Sequence, residues 1–237
     1  MSYLDQICFT DEVNCLKFLS HRMRANMCTH CMKNITKHCR NSVTEEDVIK
    51  SLEYTQKGEK YPTLILNSDE KYGKLFLGGF KAAMNLEFLQ QESVANIVNT
   101  AGMGLYKTFG KKYEDKCHWT MEVSKVECLQ LEWEDAISYN ISNEDIDKVI
   151  NYIHSCRLQK KNVLVHCAQG KSRSATAVIA YIMVVLNLSL AESFAFVKEK
   201  RRMIEPNAHF MYLLQMFENS ELIKKLRNHL RSMIIIK

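Results

Sequence analysis

A cysteine separated by five residues from an arginine, where an apolar strand gives way to a helix, can attack phosphorus. In this chain the run is Asn162-Val-Leu-Val-His-Cys-Ala-Gln-Gly-Lys-Ser-Arg-Ser174. Val163, Leu164 and Val165 have strand character, and a long apolar stretch after Ser174 reads as a helix. The turn between them would gather the backbone N–H groups of Ala168, Gln169, Gly170, Lys171, Ser172 and Arg173 into a concave anion site at a helix N-terminus. A thiolate at Cys167 would be stabilised there. Gly170 allows the backbone to curl without a Cβ clash. Arg173 offers a planar fork that matches two phosphate oxygens. Ser174 can cap the helix and also face the sulfur. Lys171 either adds positive charge at the rim or is an exposed side chain without a role.

A phosphate monoester carries close to two negative charges at neutral pH. It would repel a thiolate unless the loop and Arg173 compensate. Given that compensation, Cys167 can attack phosphorus and form a phosphocysteine that water then hydrolyses. Taken singly, each residue has an ordinary explanation: a small buried hydrophobe, a turn glycine, a solvated arginine. Their occurrence together at this spacing is what points to chemistry.

The His-Cys-x5-Arg-Ser pattern resembles the signature of the cysteine-dependent protein phosphatases, and its flanks are most similar to the dual-specificity branch. The start Leu75-Phe-Leu-Gly-Gly with Asn85, the strand Asn96-Ile-Val-Asn99 and the segment Arg202-Met-Ile-Glu-Pro-Asn207 carry the same resemblance, over about residues 62 to 219. It implies a metal-independent protein phosphatase with no cofactor and a phosphorylated protein as substrate. Asp135, in Trp133-Glu134-Asp135, takes the place of the general acid and later the base, with Glu134 as the fallback. His166 is a supporting residue that hydrogen-bonds within the loop. Asn207 is a second supporting residue, and Arg202 lies near the site. No Lys-Asn-Arg-Tyr loop of the deep-pocket tyrosine-specific enzymes is found, which implies a cleft open to phosphoserine, phosphothreonine and phosphotyrosine. Relatives with a Pro between Trp and Asp move this loop on binding. Glu134 stands there instead, which leaves that motion open. Two alternatives remain. One is a phosphoinositide or other non-protein phosphatase, although lipid-active relatives often carry two extra lysines in the loop and only Lys171 is present. The other is a non-catalytic phosphate-binding module, disfavoured because Cys167, Arg173 and Asp135 are all intact.

Strands alternating with helices argue for an α/β fold with a largely parallel central sheet flanked by helices. Strands are expected at Thr63–Leu66, Leu75–Leu77, Ala95–Val98 and Cys128–Leu131, besides the one entering Cys167. Helices are expected over 81–91, from the Ser142 cap to about Arg157, after the Ser189-Leu-Ala-Glu192 capping box, and from Pro206 to about Glu218. Residues 1–60 read as a helical N-terminal extension, with starts at Thr10 and Thr44. Residues 61–219 form the catalytic domain. Residues 220–237 form a C-terminal helix whose stripe of Leu222, Ile223, Leu226, Leu230 and Met233 favours packing over a membrane surface.

Among 237 residues there are nine cysteines and two prolines, and 46% are hydrophobic. An odd cysteine count with irregular spacing, and no apolar leader in a start that holds Asp5, Asp11 and Glu12, favour a reducing compartment. That is the cytoplasm, with the nucleus as second option through Lys198-Glu-Lys-Arg-Arg202. Net charge is +5, which suits an anionic substrate without suggesting nucleic acid. The run from Ala175 to Leu188 is too short to span a bilayer, and no lipidation signal is read, so no stable membrane anchor is expected. Cys28-Thr-His-Cys31 with His38-Cys39 raises zinc, but adjacent side chains diverge on a helix, and a reduced helical face is favoured. The basic, aromatic stretch 101–127, with Lys107, Lys111, Lys112 and Lys116, is expected to be a solvated loop or a specificity loop.

Overall fold

The computed structural model describes residues 20–21, 24–28, 37–38, 40–48, 60–105, 115, 118, 120 and 122–235. The chain divides into two compact units, residues 1–60 and 61–237. The expected helix from Thr10, the zinc candidates Cys31 and Cys39, and the basic and aromatic residues between Tyr106 and Trp119 lie outside the described residues.

In the first unit, β1 (Ser20–His21) pairs antiparallel with β2 (Arg24–Cys28), in the register Ser20↔Cys28 and His21↔Arg24. This corrects the expectation of helix over these residues. The polar Arg24 and Asn26 alternate with the apolar Ala25 and Met27, a period of two that fits a strand. Cys28 is therefore a strand residue, and it is buried. Thr44 does start a helical turn at 45–48, in a reciprocal cap: Thr44 Oγ1 accepts from Asp47 N at 3.2 Å and Thr44 N donates to Asp47 Oδ2 at 3.1 Å.

The second unit is built on a five-stranded sheet. Its strands are β3 (Thr63–Leu66), β4 (Leu75–Gly79), β5 (Val94–Asn99), β6 (Glu127–Gln130) and β7 (Asn162–Cys167), in the order β3-β4-β7-β5-β6. Only β3 runs antiparallel, against β4. β7 lies between β4 and β5, so the strand that ends in Cys167 is hydrogen-bonded on both edges. Its side chains alternate between the two faces. Val163 and Val165 join Leu75, Leu77 and Val98 in one core, while Leu164 joins Phe76 and Ile97 in another. Burying both faces explains why β7 reads as an unbroken apolar run, and each such Val or Leu contributes roughly 1.5–3 kcal/mol.

The smaller face is covered by α1 (Phe80–Ala83) and α2 (Leu86–Gln91). A single helix was expected over 81–91. Asn85 divides it, because its side chain accepts from Phe88 N and caps α2. The larger face carries α3 (Asn143–Leu158), α4 (Arg173–Val185), α5 (Leu190–Lys200), α6 (Ala208–Glu218) and α7 (Glu221–Ile235). Ser142 caps α3 through Asp145 N, and Ser189 with Glu192 forms the capping box of α5; such caps contribute about 1 kcal/mol each. From Ser174 to Val184 every residue of α4 is buried. It is a central helix, apolar all round. Ile223, Leu226 and Leu230 of α7 are buried in the same core, with Leu222 and Met233 packed against it. No helix among the described residues is long and apolar enough to cross a membrane.

One buried polar cluster ties α3 to α4. His154 is fully buried, with Nδ1 3.3 Å from the Tyr181 hydroxyl and its ring tilted on Tyr72 at 5.5 Å. Arg157 donates to Tyr181 Oη at 3.1 Å and to Gly73 O at 2.7 Å. Burial, followed by the positive charges of Arg157 and His229, lowers the His154 pKa to about 4. The unfolded chain would bind a proton there from about pH 6.5 downward, whereas the folded chain resists it until about pH 4. The contribution is therefore present above pH 6.5 and lost as the pH falls toward 4. We expect the urea midpoint to drop between about pH 7 and about pH 5, and to drop less in His154→Asn. Identical pH dependence in variant and wild type would show that His154 is not a source of the effect.

Candidate active site

β7 delivers His166 and Cys167 to the centre of the sheet's C-terminal edge, and α4 begins six residues after the cysteine. Cys167 is 2% exposed. Its Sγ accepts from Gly170 N at 3.3 Å and from Ser174 Oγ at 3.1 Å. Two donors thus converge on one sulfur. Gly170 has φ +69°, and a Cβ there would lie 2.5 Å from the Gly78 carbonyl. The left-handed turn and the close backbone approach both require glycine.

Every carbonyl of the loop is held from outside. Ala168 O accepts from Phe80 N at 3.2 Å, Lys171 O from Glu205 N at 2.8 Å, and Ser172 O from Thr176 N at 2.8 Å. Gln169 O and Gly170 O accept from Arg201 Nη2 and Nε at 3.1 and 2.8 Å. His166 is buried, with Nδ1 3.3 Å from Cys167 O. Burial holds its pKa down at about 4, against the upward pull of that contact. Thr100 N and Oγ1 both donate to His166 O, at 2.9 and 3.0 Å.

Asp135 stands on the other side of the loop. Its Oδ1 accepts from Ser172 Oγ at 2.7 Å and from Asn207 Nδ2 at 3.1 Å. Its Oδ2 is 3.6 Å from Arg173 Nε, an ion pair too long to be a hydrogen bond. Arg173 Nη1 donates to Trp133 O at 3.1 Å. Trp133 is buried and donates from Nε1 to Asp145 Oδ2 at 3.0 Å, which anchors the segment to the first turn of α3. Asn207 also caps α6, accepting from Phe210 N at 2.9 Å.

The structure therefore brings Cys167, Ser172, Arg173, Ser174, Asp135 and Asn207 together around the loop. Glu134 is exposed. Two expectations need correction. Ser174 does not cap α4: the N-cap is Ser172, whose side chain makes no cap bond because it is turned to Asp135. Ser174 is the second residue of the helix, and its hydroxyl donates to the sulfur. Arg202, expected near the site, is exposed, and its neighbour Arg201 is the buried residue that grips the loop. Arg201, Trp133 and Asp145 were not singled out as site residues. A pair of basic residues before x-x-x-Pro-Asn was the available signal for Arg201, but nothing in the sequence ranked the two by burial.

Residues 75–220 match the family model "Dual specificity phosphatase, catalytic domain". Dual specificity protein phosphatase 22 of Mus musculus is 33% identical over 147 residues, covering 62% of this chain and 71% of that protein. Dual specificity protein phosphatase 16 of Homo sapiens is 32% identical over 154 residues, covering 65% of this chain but 20% of that protein. The crystal structure of DUSP15 matches with a TM-score of 0.57 at 27% identity, covering 72% of this chain and 95% of that one. Human DUSP28 matches with a TM-score of 0.53 at 26% identity, over 68% and 97%. With a cysteine loop of this geometry lying inside the matched span, the chain belongs to the dual specificity phosphatase family and is a cysteine-dependent protein phosphatase.

Proposed function

We propose that Cys167 is the nucleophile, Arg173 the phosphoryl clamp, and Asp135 the acid and then the base of this reaction. The observation that carries the assignment is the convergence of Gly170 N–H and Ser174 O–H on Cys167 Sγ, with Arg173 and Asp135 paired beside it. In the first step Sγ, as thiolate, forms a bond to phosphorus and the ester P–O bond breaks. The departing oxygen takes the proton of the Asp135 carboxyl. In the second step the Asp135 carboxylate takes a proton from water, the water oxygen bonds to phosphorus, and the S–P bond breaks to return the thiolate. Ser174 Oγ–H is placed to stabilise that returning charge. The N–H groups of 168–173, together with Arg173, hold the three non-bridging oxygens throughout.

Ser172 and Asn207 both donate to Oδ1 of Asp135, which leaves Oδ2 as the oxygen that carries the transferable proton. They are positioning residues, and His166 plays the same part from inside the loop. The substrate is a phosphorylated protein, and no nucleic-acid or membrane partner is invoked. A reducing compartment, cytoplasm or nucleus, suits the mechanism, because it requires the reduced thiol.

Three outcomes test the assignment. Cys167→Ser should lower kcat by at least about a thousandfold while phosphopeptide binding persists; a tenth of wild-type turnover would exclude the phosphocysteine. Asp135→Asn should lower kcat by about 10²–10⁴ for an alkyl phosphate but much less for a nitrophenyl phosphate. Equal losses on both substrates would make Asp135 structural, and leaving-group dependence in Glu134→Gln alone would move the acid to Glu134. Mild peroxide should abolish turnover and a thiol restore it, whereas a chelator should leave the rate unchanged.

A further inference from the structure

Arg201 is the C-cap residue of α5 and is 4% exposed. Its side chain leaves the helix end and reaches three acceptors: Gly170 O at 2.8 Å, Gln169 O at 3.1 Å and Thr63 Oγ1 at 3.1 Å. The first two lie on consecutive peptide units of the phosphate loop. A trans peptide is planar, with its C=O and N–H pointing in opposite directions. The unit whose oxygen is Gln169 O therefore carries Gly170 N–H at its other end, and that N–H is the donor to Cys167 Sγ. The unit whose oxygen is Gly170 O carries Lys171 N–H in the same way. One guanidinium, pulling two carbonyls outward, turns two N–H groups inward.

We infer that Arg201 is a positioning residue for phosphoryl transfer, fixing from behind the two peptide units whose N–H groups meet the sulfur and the phosphoryl oxygens. This rests on the reading of residues 168–173 as the phosphate cradle. Gly170 has φ +69° and no side chain to hold it, so its peptide units have alternative orientations open to them. The left-handed turn supplies the freedom, and Arg201 removes it. The guanidinium packs directly on the turn, since a Cβ on Gly170 would lie 2.7 Å from Arg201 Nη2. Its charge also lies at the negative ends of both peptide dipoles, which strengthens the positive ends facing the anion. A lysine could satisfy one carbonyl but not both in a fixed fork.

Arg227 provides an internal control. It makes the same kind of grip on two carbonyls, Met183 O and Leu188 O, at the far end of α4. We would compare Arg201→Met, Arg201→Lys and Arg227→Met with wild type by vanadate inhibition, kcat/KM on an aryl phosphate, and thermal midpoint. Arg201→Met should lose at least about tenfold in both vanadate affinity and kcat/KM, with Arg201→Lys between it and wild type. Arg227→Met should lose stability yet keep vanadate affinity within about twofold. Folded Arg201 variants with wild-type vanadate affinity would overturn the inference. So would a loss in Arg227→Met as large as in Arg201→Met, because it would reduce Arg201 to a general stability effect. If Arg201→Met does not fold, Arg201→Lys decides on the same terms. A wild type that neither binds vanadate nor turns over would instead remove the phosphate reading of the loop itself.

Discussion

A loop that gathers N–H groups around an anion must turn its carbonyls away from that anion, and those carbonyls then need donors of their own. The planarity of the peptide makes this unavoidable. The five loop carbonyls from Ala168 to Ser172 are answered by α1, by Arg201, by the segment before Pro206 and by α4's own second turn. Much of the architecture around the loop is explained by this demand. Phe80, at the start of α1, lies where its N–H can hold Ala168 O. The 201–207 segment folds back beneath the loop and contributes Glu205 N before Asn207 turns to Asp135. An unmade bond to a buried carbonyl would be destabilising by about 1–3 kcal/mol, enough to let a peptide unit turn over.

The sheet gives this loop a stiff base. β7 is paired on both edges and buried on both faces, and α4 leaves the loop into a core that surrounds it completely. The sulfur is therefore fixed by elements with little freedom. Asp135 reaches the same frame differently. It comes from an irregular segment after β6, and it is held by one buried indole, one ion pair and two donors to a single carboxylate oxygen. Two unrelated stretches of chain are brought into register through Ser172, which accepts from Asn207 N and donates to Asp135.

The legible part of this was the part written in local pattern. The apolar triplet Val163 to Val165, the spacing from Cys167 to Arg173, and the caps at Ser142 and Ser189 each depend on neighbours within a few residues. Strand and helix assignments in the catalytic unit followed from them, and the dual-specificity resemblance of its motifs agreed with the family match. The failures around the loop share a cause, competition between a local role and a distant partner. Ser172 and Ser174 are both acceptable caps by residue type. Ser172 took the cap position without the cap bond, because Asp135, 37 residues away, claims its hydroxyl. Arg201 and Arg202 are alike in sequence, and only the packing of α5 decides which turns inward. In the N-terminal unit, the short alternation at Arg24–Cys28 was outweighed in reading by the helix starts around it.

The reach of Arg201 has one more implication. Its side chain joins Thr63, 138 positions earlier in the chain, to the loop, and Phe80, Thr100, Asp135 and Asn207 complete the same enclosure. A peptide spanning only β7, the loop and α4 would contain Cys167 and Arg173 but none of the donors that Phe80, Thr100, Arg201 and Glu205 supply from elsewhere in the chain. Competence is thus spread over nearly the whole catalytic unit. It behaves as a property of the closed topology and not of the signature motif, so excising the motif into another scaffold would carry over its residues and leave its function behind.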